Sequence, residues 1–240
     1  MSMNKTGIEW CDYTWNPVTG CKHGCPYCYA RKIAERFRGS KAWPQGFEPA
    51  FHKGRMEDAI KHKKPATIFV CSMADLFGEW VPTYWIQSIL TSTVIGLQHT
   101  YIFLTKNPDR YQPLSVNDLV GGMMQRRQNL WFGTSISGKE DIHRLWSLQA
   151  SDLPNRFISF EPLLSDPGPL DLTGIKQVII GAQTNPDRYI GLEWVMKICE
   201  AADHAGAKVF MKDSMIGRWP DREIRRELAW PLNKSVGISQ

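Results

Sequence analysis

Residues 20–29, GCKHGCPYCY, place Cys21, Cys25 and Cys28 within eight positions, interleaved with His23, Pro26, Tyr27 and Tyr29. Thiols at this density have three uses: a disulfide knot, a zinc clip or an iron-sulfur centre. The opening MSMNKTGIEWCDYTW lacks the apolar core of a signal peptide, and no unbroken apolar run reaches the roughly 20 residues of a membrane helix. The chain therefore reads as cytoplasmic, where disulfides are rare, and 240 residues bury a sizeable core without them. Zinc takes four ligands, and His23 or Cys11 would complete the set, yet no second Cys-x-x-Cys or His pair follows at finger spacing. A cubane iron-sulfur cluster takes four cysteines and this loop supplies three. Three thiolates leave one iron open to an outside ligand, as catalytic zinc keeps one position open.

Those cysteines need a scaffold. Runs rich in β-branched and aromatic residues recur at 67–72, 101–106, 130–135, 156–161, 177–183 and 208–213, each ending in small or polar residues, as strands buried on both faces do. A further strand is expected at 14–18, where Pro17 would place it at a sheet edge. Helical period fills residues 82–98, opening at Pro82, and 192–205, ending at Gly206; a shorter helix is expected at 55–63. Alternating strands and helices form right-handed β/α units on a parallel sheet. The fold expected is α/β, an incomplete parallel (β/α) barrel of six or seven strands, with a doubly wound sheet as the alternative. Residues 1–240 read as a single domain, and 39–66, rich in Gly and Pro, as a lid or a surface insertion. The cysteine loop then follows strand one, at the face where parallel barrels carry their active sites, and feeds a helix N-terminus that favours thiolate charge.

CKHGCPYC resembles the C-x-x-x-C-x-aromatic-C pattern of the radical S-adenosylmethionine superfamily. The resemblance implies a 4Fe-4S cluster on Cys21, Cys25 and Cys28. It also implies S-adenosyl-L-methionine chelating the open iron through its amine and carboxylate, with Tyr27 beside the adenine. One electron from an external donor would cleave the cofactor to a 5′-deoxyadenosyl radical that abstracts hydrogen from a substrate. GIEWCDYTWNPVTGC, with LTKNPDR, FGTSIS, SFEPLL and VFMKD, further resembles a phage-associated family called three-Cys-motif proteins, over most of residues 6–213. Cys11 stands where that family has threonine, and the cysteine loop is shorter here.

In that barrel the strand ends supply the rest of the site. Where the superfamily carries a Gly-Gly-Glu segment, this chain has CSMAD, so Ser72 and Asp75 are the partners available to the cofactor amine. Thr105 and Lys106 suit its carboxylate, Thr134, Ser135 and Ser137 a ribose or carboxylate, and Glu161 a ribose hydroxyl or a substrate proton. Gln183 and Lys212 end later strands. Lys106, Glu161 and Cys71 are the catalytic candidates, Cys71 as a hydrogen-atom donor against its reading as a buried thiol. Cys199 falls on an apolar helix face, and Cys11 has no assigned role. Trp10 and Trp15 either stack on a base or close the barrel end.

The net charge of +5 gathers at Lys61, Lys63 and Lys64, at Arg126 and Arg127, and at Arg218, Arg222, Arg225 and Arg226. It permits a nucleotide or nucleic acid as substrate, and a partner subunit; as solvated faces, these clusters carry no function. The competing reading is a non-catalytic zinc- or iron-sulfur-bearing module that binds nucleic acid.

Overall fold

The structure is a computed structural model that describes residues 3–41, 43–112, 127–219 and 223–233. Arg126 and Arg222 lie outside the described residues. The chain runs β1 (Met3–Lys5), β2 (Tyr13–Trp15), β3 (Val18–Thr19), α1 (Tyr29–Arg36), β4 (Ala50–Phe51), α2 (Asp58–Lys61), β5 (Thr67–Val70), α3 (Thr83–Ile95) and β6 (Thr100–Thr105). It continues through β7 (Leu130–Ser135), α4 (His143–Gln149), β8 (Arg156–Phe160), β9 (Gln177–Ile180), α5 (Leu192–Ala205) and β10 (Lys208–Met211).

One sheet has the order β1-β2-β5-β6-β7-β8-β9-β10, antiparallel only between β1 and β2. Seven strands are thus parallel, and the sheet stays open, as an incomplete barrel does. No helix stands between β8 and β9 among the described residues.

Two corrections concern the first strand. It ends at Trp15, so Pro17 costs the ladder no donor; its carbonyl instead accepts from the His52 N–H at 2.8 Å. Nor is it an edge, because β1 pairs with it from Met3↔Trp15 to Lys5↔Tyr13. Val18 and Thr19 belong to a separate two-stranded sheet with Ala50 and Phe51.

Strand alternation divides the core into two layers. Phe69, Ile102, Trp131, Phe157, Ile179 and Phe210 point to the concave side and pack with Trp10, Cys11 and Trp230. Val70, Phe103, Phe132, Ile158 and Val209 point outward beneath Ile86 and Ile89 of α3, Leu145 of α4 and Val195 and Ile198 of α5. Gly133 makes the inner layer fit: a Cβ there would lie 2.4 Å from the Phe157 ring. Gly206, at φ +68, closes α5 in the left-handed conformation.

The gap between the sheet's two edges is bridged by the segments at either end of the chain. Residues 225–227 run antiparallel along β10, with Met211 N–H donating to Arg225 O (2.8 Å) and Glu227 N–H to Val209 O (3.0 Å). The Arg226 guanidinium donates to Glu9 at 2.7 Å and pairs with Asp213, while the Asp213 N–H donates to Glu9 at 2.7 Å. Trp230 lies 4.9 Å from the Trp131 ring and donates its indole N–H to Trp10 O at 2.9 Å. The C-terminal basic cluster is therefore largely neutralised: Arg218 pairs with Asp187, and Arg225 with Asp203 and Glu227. No helix among the described residues is long and apolar enough to cross a membrane.

Candidate active site

The cysteine loop is built by backbone contacts. Gly20 adopts φ +89, and a Cβ on it would sit 2.2 Å from Glu48 O, so only glycine fits. Its N–H donates to Met73 O at 2.9 Å, and the Cys21 N–H donates to Phe47 O at 3.2 Å. The loop is thus held between the 73–74 turn and residues 47–48, which buttress its outer side. Cys28 is the N-cap of α1, its sulfur accepting from the Arg31 N–H at 3.3 Å. The Arg31 guanidinium reaches back to Cys21 O at 2.9 Å and lies 5.2 Å over the Phe47 ring.

All three thiols face one cavity of about 450 Å³ at the C-terminal ends of the strands, within the range of small-molecule sites. Ile8, Trp10, Phe69 and Leu104 form its apolar floor. Cys11, Cys71 and Cys199 are buried away from it, so the cavity receives three cysteines and no fourth.

Asp75 organises one wall. It is 5% exposed and accepts four hydrogen bonds: from the Thr105 hydroxyl (2.6 Å) and Phe77 N–H (3.0 Å) on Oδ1, and from His23 Nε2 (2.7 Å) and Lys106 N–H (2.9 Å) on Oδ2. Its acceptor capacity is full, so it positions neighbours and offers nothing further to a cofactor amine. His23 is oriented by this carboxylate through Nε2.

Lys106 crosses the cavity rim, donating to Tyr27 Oη at 2.6 Å and to Cys25 Sγ at 3.1 Å, with its nitrogen 4.9 Å over the Tyr27 ring. Burial lowers the Lys106 pKa, but Tyr27 and Cys25 more than offset it, and the net displacement is upward. Tyr27 also meets the Ser137 hydroxyl at 3.2 Å. On the far wall Glu161 pairs with Lys212, whose pKa burial lowers and Glu161 raises further. Gln183 lines the same wall and donates to Pro186 O at 2.9 Å. Ser72 and Ser135 line the cavity too, the Ser72 hydroxyl donating to Asn16 Oδ1 at 3.2 Å.

Three of the expected residues do not line the cavity, and of these Ser137 stands behind Tyr27, meeting it only through its hydroxyl. Thr134 lies on the outward face of β7, between inward Gly133 and Ser135, and donates to Thr105 O at 2.9 Å. Cys71 follows the end of β5 with φ +59, which breaks the alternation and turns its thiol into the outer core. There burial pushes its pKa up to about 12, so it neither faces the site nor ionises.

Asn16 and Ser159 carried no signal in the sequence. Asn16 Oδ1 accepts from the Met73 N–H at 3.0 Å and so fixes the turn under the loop. Ser159, 1% exposed and inward on β8, lines the cavity with no hydrogen-bond partner for its hydroxyl. The inward parity of Phe157 was the only available clue.

The residues present fit a cluster with a bound cofactor. Three thiols share one rim, an ammonium stands beside one of them, and an orphaned buried hydroxyl awaits a ligand group in the same cavity. Burial pushes the Cys21 thiol up to about 11, against a His23 N–H that lowers it, so metal ligation would be what deprotonates it. Among the described residues no three His, Cys, Asp or Glu side chains converge tightly enough for a single ion. A cubane, with a separate iron for each thiolate, does not ask for that convergence.

Fold and site together define an open parallel β/α barrel with a three-cysteine loop at its C-terminal face. The family described as "Protein of unknown function (DUF5131)" matches residues 5–232, and the chain belongs to it. A comparison with curated protein sequences gives no match. Two similar solved structures are of spore photoproduct lyase. One is a cysteine-to-alanine mutant with dinucleoside spore photoproduct (TM-score 0.56, 12% identity), and the other is complexed with the same dinucleoside (TM-score 0.57, 11% identity). Each match covers 88% of this chain and 79% of the other. At this identity the likeness establishes a shared fold.

Proposed function

We propose that this protein is a radical S-adenosylmethionine enzyme holding a 4Fe-4S cluster through Cys21, Cys25 and Cys28. The observation that carries the reading is the cavity rim with three cysteines and no fourth, at the strand ends of an open barrel. The shared fold supports it, because spore photoproduct lyase is a radical S-adenosylmethionine enzyme. When bound, the cluster supplies one electron that cleaves S-adenosylmethionine to methionine and a 5′-deoxyadenosyl radical able to take hydrogen from a substrate.

The chain's own residues bind, orient and shield. Lys106 places positive charge beside the Cys25 sulfur and fixes the Tyr27 ring against the rim. Asp75 holds the Lys106 backbone and His23 in place. Ser159, Ser135, Gln183 and the Glu161–Lys212 pair offer polar groups to a ligand, and the Trp10 and Phe69 floor excludes water. A nucleotide or nucleic acid is the proposed substrate class: the floor and Tyr27 offer aromatic surface to a base, and the related fold is complexed with a dinucleoside.

Anaerobic reconstitution with iron and sulfide tests this. The expected product is brown, gives a cubane EPR signal on reduction that S-adenosylmethionine perturbs, and forms 5′-deoxyadenosine. Cys25→Ala should lose all three properties, and Cys199→Ala should keep them. Colourless protein holding stoichiometric zinc after the same treatment overturns the proposal.

A further inference from the structure

Beyond β9 the chain makes a compact turn at the cavity mouth. Thr184 bridges Asp187 across Asn185 and Pro186, the Arg188 N–H donates back to Gln183 O at 3.2 Å, and the Gln183 side chain donates to Pro186 O at 2.9 Å. Asp187 pairs with Arg218, which ties the turn to the segment after β10. Gln183, Thr184 and Asn185 line the cavity, so Arg188, held against the Gln183 backbone, and Tyr189 stand at its edge. Tyr189 is 75% exposed, more than any other large hydrophobic side chain among the described residues. Its ring meets Trp194 edge-on with centroids 6.0 Å apart, and Trp194 rests on Gly191, where a Cβ would lie 2.5 Å from the indole. Arg188 is exposed and forms no ion pair among the described residues. The cysteine-loop side of the same cavity offers the same two chemistries in Tyr29 and Lys32, and Lys32 too forms no ion pair among the described residues.

We propose that the turn at 184–189 is a docking rim for single-stranded nucleic acid: Tyr189 stacks on the base next to the one held in the cavity, and Arg188 takes the phosphate between them. The inference rests on the proposed function and narrows its substrate from any nucleotide to a polynucleotide strand. Cations that follow the phosphates and aromatic rings that take the bases are the general means of holding a single strand. The charges select a polyanion, because Arg188 and Lys32 have no carboxylate to neutralise them and the whole chain carries +5. The strand must be single, because the floor of Trp10, Phe69 and Leu104 lies inside the cavity, where a base arrives only out of its duplex stack. A free nucleotide would occupy the cavity and leave Tyr189 and Arg188 without a contact.

The test titrates the cluster-loaded full chain into dye-labelled DNA and RNA strands of mixed sequence, about 10 nucleotides long, and follows fluorescence anisotropy with nucleoside monophosphates as competitors. The wild type should bind at least one strand roughly tenfold or more tighter than any monophosphate, and the preferred strand tells DNA from RNA. Tyr189→Ala should weaken strand binding about tenfold and Tyr189→Trp should keep it, with monophosphate binding and iron content at wild-type values in both. Arg188→Gln should flatten the slope of log affinity against log salt by about 0.7, the share of one phosphate on a single strand. A strand bound no tighter than a monophosphate, a matching duplex bound as tightly as the strand, or Tyr189→Ala and Arg188→Gln variants that bind as the wild type does each overturn the rim. A wild-type dimer dissolved by Tyr189→Ala would assign the turn to a second copy of this chain and overturn it as well. Protein that forms 5′-deoxyadenosine and binds no strand refutes the rim alone. Protein that binds strands through Tyr189 and forms no 5′-deoxyadenosine refutes the enzymatic reading alone.

Discussion

Asp75→Asn separates the acceptor role of this residue from its size. The carboxylate takes two donors on each oxygen, so one oxygen must become an NH₂ group that faces two donors. Turned toward Oδ1, it meets the Phe77 N–H and the Thr105 hydroxyl, whose oxygen already accepts from the Asn107 N–H at 2.9 Å. Turned toward Oδ2, it meets His23, which can present an unprotonated Nε2, and the Lys106 N–H, which cannot adapt. The second orientation is cheaper. It still strands a largely buried backbone N–H, at about 1–3 kcal/mol, and turns the remaining charge-assisted bonds into neutral ones at about half their strength. The sum is about 3 kcal/mol. Urea unfolding should show it as an unchanged slope with a midpoint lowered by about 1 M, for a slope near 3 kcal/mol/M. An unfolding free energy within about 0.5 kcal/mol of wild type would refute the four-acceptor account.

Gly20→Ala should destabilise the chain by more than about 2 kcal/mol and abolish iron incorporation, because the new Cβ meets Glu48 O at 2.2 Å in a left-handed backbone; thermal melts and iron content check this. His99 is 1% exposed, its Nε2 lies 3.0 Å from Ala59 O and 2.9 Å from His62 O, and its Nδ1 has no partner, so burial lowers its pKa below the ordinary 6.5. The stability this contributes is complete above the unfolded value and lost as pH falls through the lower folded one, so melting temperatures should drop below pH 6.5, less steeply in His99→Gln. Metal-free protein treated with iodoacetamide at neutral pH should be modified at Cys25 and spared at Cys71, by peptide mass mapping. Labelling of Cys71 at the rate of Cys25 in folded protein would contradict its burial and its pKa near 12.

Much of this protein is legible along the chain because the signals are local. Cysteine spacing, the apolar β-branched and aromatic runs of the strands and Gly206 as a helix stop each depend on neighbours a few residues away, and they define a parallel open barrel with the cysteine loop after its first parallel strand. The same locality explains the errors. Alternation counted from β7 would have excluded Thr134, but the inward parity is known only once Trp131 is seen to pack with Trp230. Cys71 has the inward parity of Phe69 and loses it through one left-handed residue, which no pattern announces. The arginines near the C-terminus read as a basic patch until their partners fold back on them, Glu9 meeting Arg226 across 217 positions.

The sequence by itself thus determined the spacing of the three cysteines and the class of scaffold, since spacing and periodicity are properties of the chain. The tertiary structure decided which strand-end groups share the cavity. Contacts such as His23 with Asp75, 52 residues apart, and Lys106 with Cys25, 81 apart, form only when the sheet brings the strand ends together. Hydrogen bonding acts over about 3 Å in space whatever the separation in sequence, so a site made by such contacts takes its form only in the folded chain.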